Sequence, residues 1–339
     1  MIPINNVYYM LSYAFTELDK KGYKHLGSEE FRNIYELFSE ILIIALNKLI
    51  KRGLEKTYLN TEEQLSTIRG KINITQSITP YIQQKQLICN YDNFDINSYK
   101  NRIIKSTLYL LLKSDITTKR RKKIKKILVY FDGVDLINLK TINWNINYNR
   151  NNQIYNMIIN ICNLIIKSRI QNPHNNTYKL IELNEEHMHR LYEKFILEYY
   201  KREHKQLKTE ASYIDWIVDD NYLLPRMKSD ITLTKEDKIL IIDAKYYANT
   251  LQEYYQTKKL HSANLYQIFT YVKNKQTKVK QDNQTVSGML LYAKTDEEIT
   301  PNYTYNMSGN TIATRTLDLN VKFDIIKEQL DNIVYEFFE

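Results

Sequence analysis

Residues 230–247, DITLTKEDKILIIDAKYY, set an apolar run, Ile239-Leu240-Ile241-Ile242, against a polar ending, Asp243-Ala244-Lys245. A second aspartate, Asp230, heads the preceding stretch. The segment reads as a tight β-hairpin with its turn centred on Glu236-Asp237. With that turn, Asp230 faces Asp243, Ile231 faces Ile242 and Thr232 faces Ile241. Strand alternation then puts Asp230, Asp243 and Lys245 on one face, and Ile231, Leu233, Leu240, Ile242 and Ala244 on the other. A slip of one residue would drive the acids into the core, so the apolar pattern fixes the register.

Directly opposed residues have Cβ atoms roughly 4.5–5.5 Å apart. Two carboxylates that close repel by about 4 kcal/mol at an effective dielectric near 20. A divalent cation between their oxygens removes that cost, and Mg²⁺ takes carboxylate oxygens together with water and phosphate. The backbone carbonyl of Ala244 is a further candidate ligand. Lys245 can hold or deprotonate an attacking water, or offset charge on a phosphate. The set suits phosphodiester hydrolysis. The plainer alternative is a surface hairpin in which Lys245 neutralises two exposed acids.

The 339 residues suffice for two domains. Hydrophobic residues make up 43% and charged ones 26%, a globular balance. A net charge of +9 suits a polyanionic partner, nucleic acid foremost. The wealth of Lys, Ile, Asn and Tyr is also what an AT-rich genome imposes, so charge alone does not decide. Two distant cysteines, Cys89 and Cys162, give neither a disulfide framework nor a zinc motif, which fits a reducing cytoplasm. The start lacks signal-peptide features, and the longest apolar run, Ile41 to Leu46, is too short for a bilayer. A cytoplasmic location away from membranes is therefore expected.

Helices are expected over 29–52, 100–113 and 118–131, the last with a solvated basic face beside Ile124, Ile127, Leu128 and Phe131. Residues 57–97 suggest short strands and a projecting loop. Pro173 in an Asn-rich stretch marks a boundary, giving domains 1–175 and 176–339. The second half reads as a helix over 185–204 capped by Asn184, a strand over 212–218, and the hairpin. A helix near 261–274, a strand over 286–294 and a terminal helix from 324 follow. The expected class is α+β: a mixed α/β N-terminal domain, then an α-β-β-β-α-β domain. His187-Met188-His189 are read as solvated, since i and i+2 diverge on a helix. The basic run 201–205 is read as a helix end, Tyr246 and Tyr247 as strand-end packing, and Asp215, Asp219 and Asp220 as exposed.

The pattern Asp230, then Asp243-Ala244-Lys245, resembles the PD-(D/E)xK nuclease superfamily, with Ser229 where a proline often precedes the first acid. Gln267 and Tyr271 resemble its QxxxY element, which implies a supporting role for Gln267. The resemblance also implies a helix glutamate at the metal site, for which Glu193 and Glu198 compete. Further blocks resemble the McrC family of restriction subunits: IPINNVYYMLSYAF (2–15), RGKINI (69–74), NRIIKSTLYLL (101–111), LLPRMKSDITLTKEDKILIIDAKYY (223–247) and HSANLYQ (261–267). That resemblance implies a restriction-endonuclease-like second domain and Mg²⁺-dependent cutting of double-stranded DNA bearing modified cytosine, 5-methylcytosine among them. Cutting would require assembly with McrB, a hexameric AAA+ GTPase. It further implies that the N-terminal half docks on that hexamer, enters its pore through a projection near 76–97, and stimulates GTP hydrolysis. The chain has no GxxxxGK[ST], so GTP would be bound through the partner. Two rival functions remain: a regulatory adaptor with little cleavage of its own, and an autonomous repair or defence nuclease.

Overall fold

The computed structural model describes residues 2–20, 22–148, 152–170, 185–247, 251–254, 257–279, 283–294 and 300–339. The chain divides into two units, Arg32–Lys179 and a second made of Met1–Phe31 with Leu180–Glu339. The expected boundary at 175/176 and the Asn184 cap lie outside the described residues. The first 31 residues, expected in the N-terminal domain, belong with the C-terminal half instead. Helix α1 (Ile4–Ala14) is the reason: its buried stripe of Val7, Met10, Leu11 and Ala14 needs a partner surface. Asn6 Nδ2 donates to the carbonyls of Leu319 (2.8 Å) and Val321 (2.7 Å). Tyr9 stacks on Phe323 with ring centroids 4.5 Å apart, and the Tyr13 hydroxyl donates to Glu203 at 2.7 Å.

In the unit Arg32–Lys179, α2 (Ile34–Arg52) starts where the Asn33 side chain accepts from the Glu36 N–H. It is buried nearly all round, so it forms the unit's axis. Strands β1 (Thr57–Leu65), β2 (Lys71–Ile72) and β3 (Leu87–Asp95) form an antiparallel sheet in the order β1-β3-β2. Helix α3 (Ile74–Gln84) lies between β2 and β3 in sequence. Ser77 ties it down, accepting from the Ile88 N–H at 2.8 Å and donating to Asn73 O at 2.6 Å. The segment expected as a projecting loop is thus a helix and a strand. Ile74, Ile78, Tyr81 and Ile82, spaced along one face of α3, are all exposed.

Helices α4 (Tyr99–Leu112), α5 (Thr118–Leu128) and α6 (Gln153–Ile170) complete the unit. The basic run on α5 is not wholly solvated. Arg120 is 8% exposed and reaches back to α2, with Nε 3.0 Å from Glu40 Oε2 and NH1 3.4 Å from Glu36 Oε2. Lys123 adds a 2.8 Å contact to Glu40. Two acids buried on the axis helix require these cations. Lys119, Arg121, Lys122, Lys125 and Lys126 stay exposed, as expected.

In the other unit, α7 (Glu185–Glu203) precedes β4 (Lys208–Glu210), β5 (Tyr213–Ile214) and β6 (Met227–Lys228). The hairpin follows as β7 (Ile231–Lys235) and β8 (Lys238–Lys245), then β9 (Leu251–Tyr254), β10 (Thr257–Leu260) and α8 (Ser262–Val279). Strands β11 (Thr285–Ala293), β12 (Tyr303–Met307) and β13 (Asn310–Leu317) lead to α9 (Phe323–Phe338). The central sheet has six strands in the order β12-β13-β11-β8-β7-β4. β11 runs parallel to β8 and β13, and the other pairings are antiparallel.

Ile239 and Ile241 of β8 pack with Ile268, Tyr271 and Val272 of α8 on one face. Ile231, Leu233, Leu240, Ile242 and Ala244, at most 1% exposed, point to the other, where α7 and α9 pack. The strand expected over 212–218 is only Tyr213–Ile214. Past it the chain leaves as a loop closed by Trp216 Nε1 donating to Pro225 O at 2.7 Å. Asp215, Asp219 and Asp220 are exposed, as expected.

Candidate active site

The hairpin register is the one the apolar pattern demands: Ile231 opposite Ile242 and Thr232 opposite Ile241, with Glu236 at φ 52 in the turn. Asp230 stands one residue before β7, and its Oδ2 accepts from the Ala244 N–H at 2.9 Å. Asp243 is 1% exposed, and Lys245 Nζ lies 2.7 Å from its Oδ2. Lys245 also donates to Gln267 Oε1 at 3.2 Å, and Gln267 Nε2 donates to the Tyr271 hydroxyl at 3.0 Å. The two aspartates, the lysine and the Gln267–Tyr271 pair are thus one connected group where β7, β8 and α8 meet. A surface hairpin with exposed acids does not describe it.

Charge in this group is crowded. Burial first, then the Asp243 and Glu193 charges, push the Asp230 carboxyl up to about 7, although the Ala244 N–H works the other way. Burial likewise raises Asp243, against the pull of Lys245. Burial works to lower Lys245, but the neighbouring carboxylate of Asp243 outweighs it and holds the ammonium above its usual range. Lys245 therefore stays protonated near neutral pH. Of its expected roles, holding a water or offsetting phosphate charge fits better than acting as a base.

Glu193 and Asp230 line the same cleft of about 320 Å³, together with Arg190, Lys194 and Lys228. Glu198 instead pairs with Lys201, Nζ to Oε1 2.8 Å. Of the two glutamates, Glu193 is the one whose charge acts on Asp230.

Hard carboxylate oxygens dominate the donor set, and two buried acids, one raised by burial and then by repulsion, are what a divalent cation would relieve. Among the described residues no group of three or more His, Cys, Asp or Glu stands at metal-binding spacing. Two acids would fit a cation that takes its remaining positions from water and substrate, the usual habit of Mg²⁺.

The family model described as McrBC 5-methylcytosine restriction system component matches residues 5–293. The chain belongs to the McrBC family. It is 30% identical over 350 residues to the type IV methyl-directed restriction enzyme EcoKMcrBC of Escherichia coli K12, covering 100% of this chain and 99% of that protein. Its fold is similar to a chain of the solved half-complex from the tetradecameric assembly of Thermococcus gammatolerans McrB AAA+ hexamers with bound McrC. There the TM-score is 0.53 at 17% identity, over 98% of this chain and 76% of that one. No described helix is long and apolar enough to cross a membrane.

Around and beyond this group, the McrBC-family chain places further residues of the sequence pattern. His187 is 6% exposed and not solvated. His189 lies with its Nδ1 2.7 Å from Glu193 Oε1, a contact signalled by i, i+4 spacing in HRLYE. Tyr247 donates to Asn264 Oδ1 at 3.2 Å, and Tyr246 packs near Tyr192, so both tyrosines serve strand-end packing. The basic helix end is likewise structural: Arg202 donates to Ser12 O and Tyr13 O, and His204 Nε2 sits 2.7 Å from Asp331 Oδ1.

Proposed function

We propose that this chain is the Mg²⁺-dependent DNA endonuclease subunit of a modification-dependent restriction complex. It cleaves phosphodiesters of double-stranded DNA bearing 5-methylcytosine when assembled with a McrB-like AAA+ GTPase, in the cytoplasm. The observation that carries this is the meeting of Asp230, Asp243 and Lys245 at one buried strand end.

In this reading the carboxylates of Asp230 and Asp243, with the Ala244 carbonyl, would hold the cation, which would supply Lewis-acid polarisation of the phosphate and a more acidic water. Asp230 is oriented for this by the Ala244 N–H, and Asp243 by the Lys245 ammonium. Lys245, steadied by Gln267, would donate hydrogen bonds that orient the attacking water and offset charge growing on the phosphate. Replacing Asp243 or Lys245 by Ala should abolish cleavage of methylated plasmid while GTPase stimulation of the partner persists. Cutting that survives either change refutes the site assignment. Cutting by the purified chain with Mg²⁺ alone would favour the autonomous nuclease, and GTPase stimulation without any cutting the adaptor.

Partner docking belongs to the unit Arg32–Lys179. Its support is the apolar face of α3, where Ile74, just before the span 76–97 expected to project, and Ile78, Tyr81 and Ile82 within it are 56–76% exposed. Exposed apolar stripes of this kind mark protein contacts. Ile78→Asp with Ile82→Asp should remove GTPase stimulation and leave the melting temperature of the chain within a degree or two. Unchanged stimulation would exclude this face.

A further inference from the structure

One turn of α7 separates His189 from Glu193, and the 2.7 Å contact joins two side chains that are 25% and 31% exposed. Their surroundings place them beside the acid pair. The Glu193 charge is among those that raise Asp230, and the His189 ring is near enough to Asp243 to favour its ionised form. The ring also has Tyr247 as a neighbour, tilted against it with centroids 6.4 Å apart. Tyr247 is itself fixed through Asn264, whose Nδ2 donates to the Tyr292 hydroxyl at 3.3 Å. A glutamate at a cleft rim normally keeps several rotamers, and ordering it costs up to about 2 kcal/mol. Here an anchored imidazole does the ordering. An Nδ1–H can donate to the carboxylate in the neutral ring as well as in the charged one, so the contact needs no particular protonation state.

We propose that His189 is a positioning residue that fixes the Glu193 carboxylate at the edge of the Asp230–Asp243 pair, where it holds the water shell of a bound divalent cation. This rests on the nuclease reading of that pair. Histidine–carboxylate contacts behind a metal site commonly change metal affinity 10–100-fold when removed.

The test is calorimetric titration of Mn²⁺ into the full chain as wild type, His189→Ala, His189→Asn, Glu193→Ala and the double alanine variant. His189→Ala should weaken binding about tenfold or more, with the melting temperature of the metal-free chain unchanged. His189→Asn, whose amide can donate from nearly the same place, should recover most of the affinity. The double variant should bind no more weakly than Glu193→Ala. Binding by His189→Ala within twofold of wild type overturns the inference alone, as does a double variant weaker by the product of the single effects. A wild-type chain that binds no Mn²⁺ overturns the nuclease reading and the inference with it.

Discussion

Asp230 shows how a single carboxyl can work against the fold that holds it. Its folded-state value of about 7 lies well above the ordinary value near 3.9 for an unfolded chain. Below the unfolded value the group is neutral in both states, so its stabilising contribution is complete there. That contribution is lost as pH rises through 7, where the buried acid must ionise beside Asp243. Moving a carboxyl's titration by one pH unit takes about 1.4 kcal/mol. In chelator, Asp230→Asn should therefore raise stability at pH 8, by on the order of 2–4 kcal/mol, and change it little at pH 4. Equal melting temperatures for wild type and variant at pH 8 would contradict the crowding of charge. At this scale much of the group was legible, because strand alternation and an apolar flank leave Asp230, Asp243 and Lys245 one arrangement. His189 was legible only through its i, i+4 spacing to Glu193, which the more conspicuous pairing with His187, two residues away, hides.

Among the elements, the placing of α8 depends on Gly288 in β11. A Cβ there would stand 2.7 Å from Val272 Cγ2, 2.8 Å from Ile268 Cγ1 and 3.0 Å from Ile312 Cδ1. The helix rides on the strand at a distance only glycine allows, and Gln267 travels with the helix. Gly288→Val should cost about 1–3 kcal/mol through overpacking and, by moving Gln267 off Lys245, lower the cleavage rate more than the thermal melt alone would account for. A variant with normal cutting and normal stability would show that the contact is slack. The long amphipathic helices were readable from apolar spacing, but the start of α2 was not: expected from 29, it begins at Ile34 behind the Asn33 cap. The β12–β13 hairpin was not readable, since β12 is exposed along most of its length and carries no buried alternation. Its one sign was the Ser308-Gly309 turn, both residues at positive φ. The strand β5 is shorter than its sequence suggests because Ile217 and Val218 look like strand residues yet lie exposed in the loop.

For the molecule as a whole, the chain is not laid out as two consecutive domains. Composition and a lone proline suggest a single cut, but no local pattern says which surface an amphipathic first helix will choose. The choice is written in distant partners: Leu319, Val321 and Phe323 for one side of α1, Arg202 and Glu203 for the other. A fragment of residues 180–339 should accordingly melt below the same fragment supplied with residues 1–31 as a separate peptide, and Asn6→Ala should weaken that rescue. Indistinguishable melts would mean that α1 contributes nothing to the unit.

The 190 residues between Tyr13 and Glu203 carry a cost in time. At roughly 5–20 residues per second on the ribosome, about ten to forty seconds separate the synthesis of α1 from that of Glu203, and Leu319 and Val321 follow later still. Throughout that wait an oily segment of the nascent polypeptide lacks its partner surface and is a natural client for a holding chaperone. Its docking is among the last steps of maturation, so a translation product cut short in the middle never seats its own beginning.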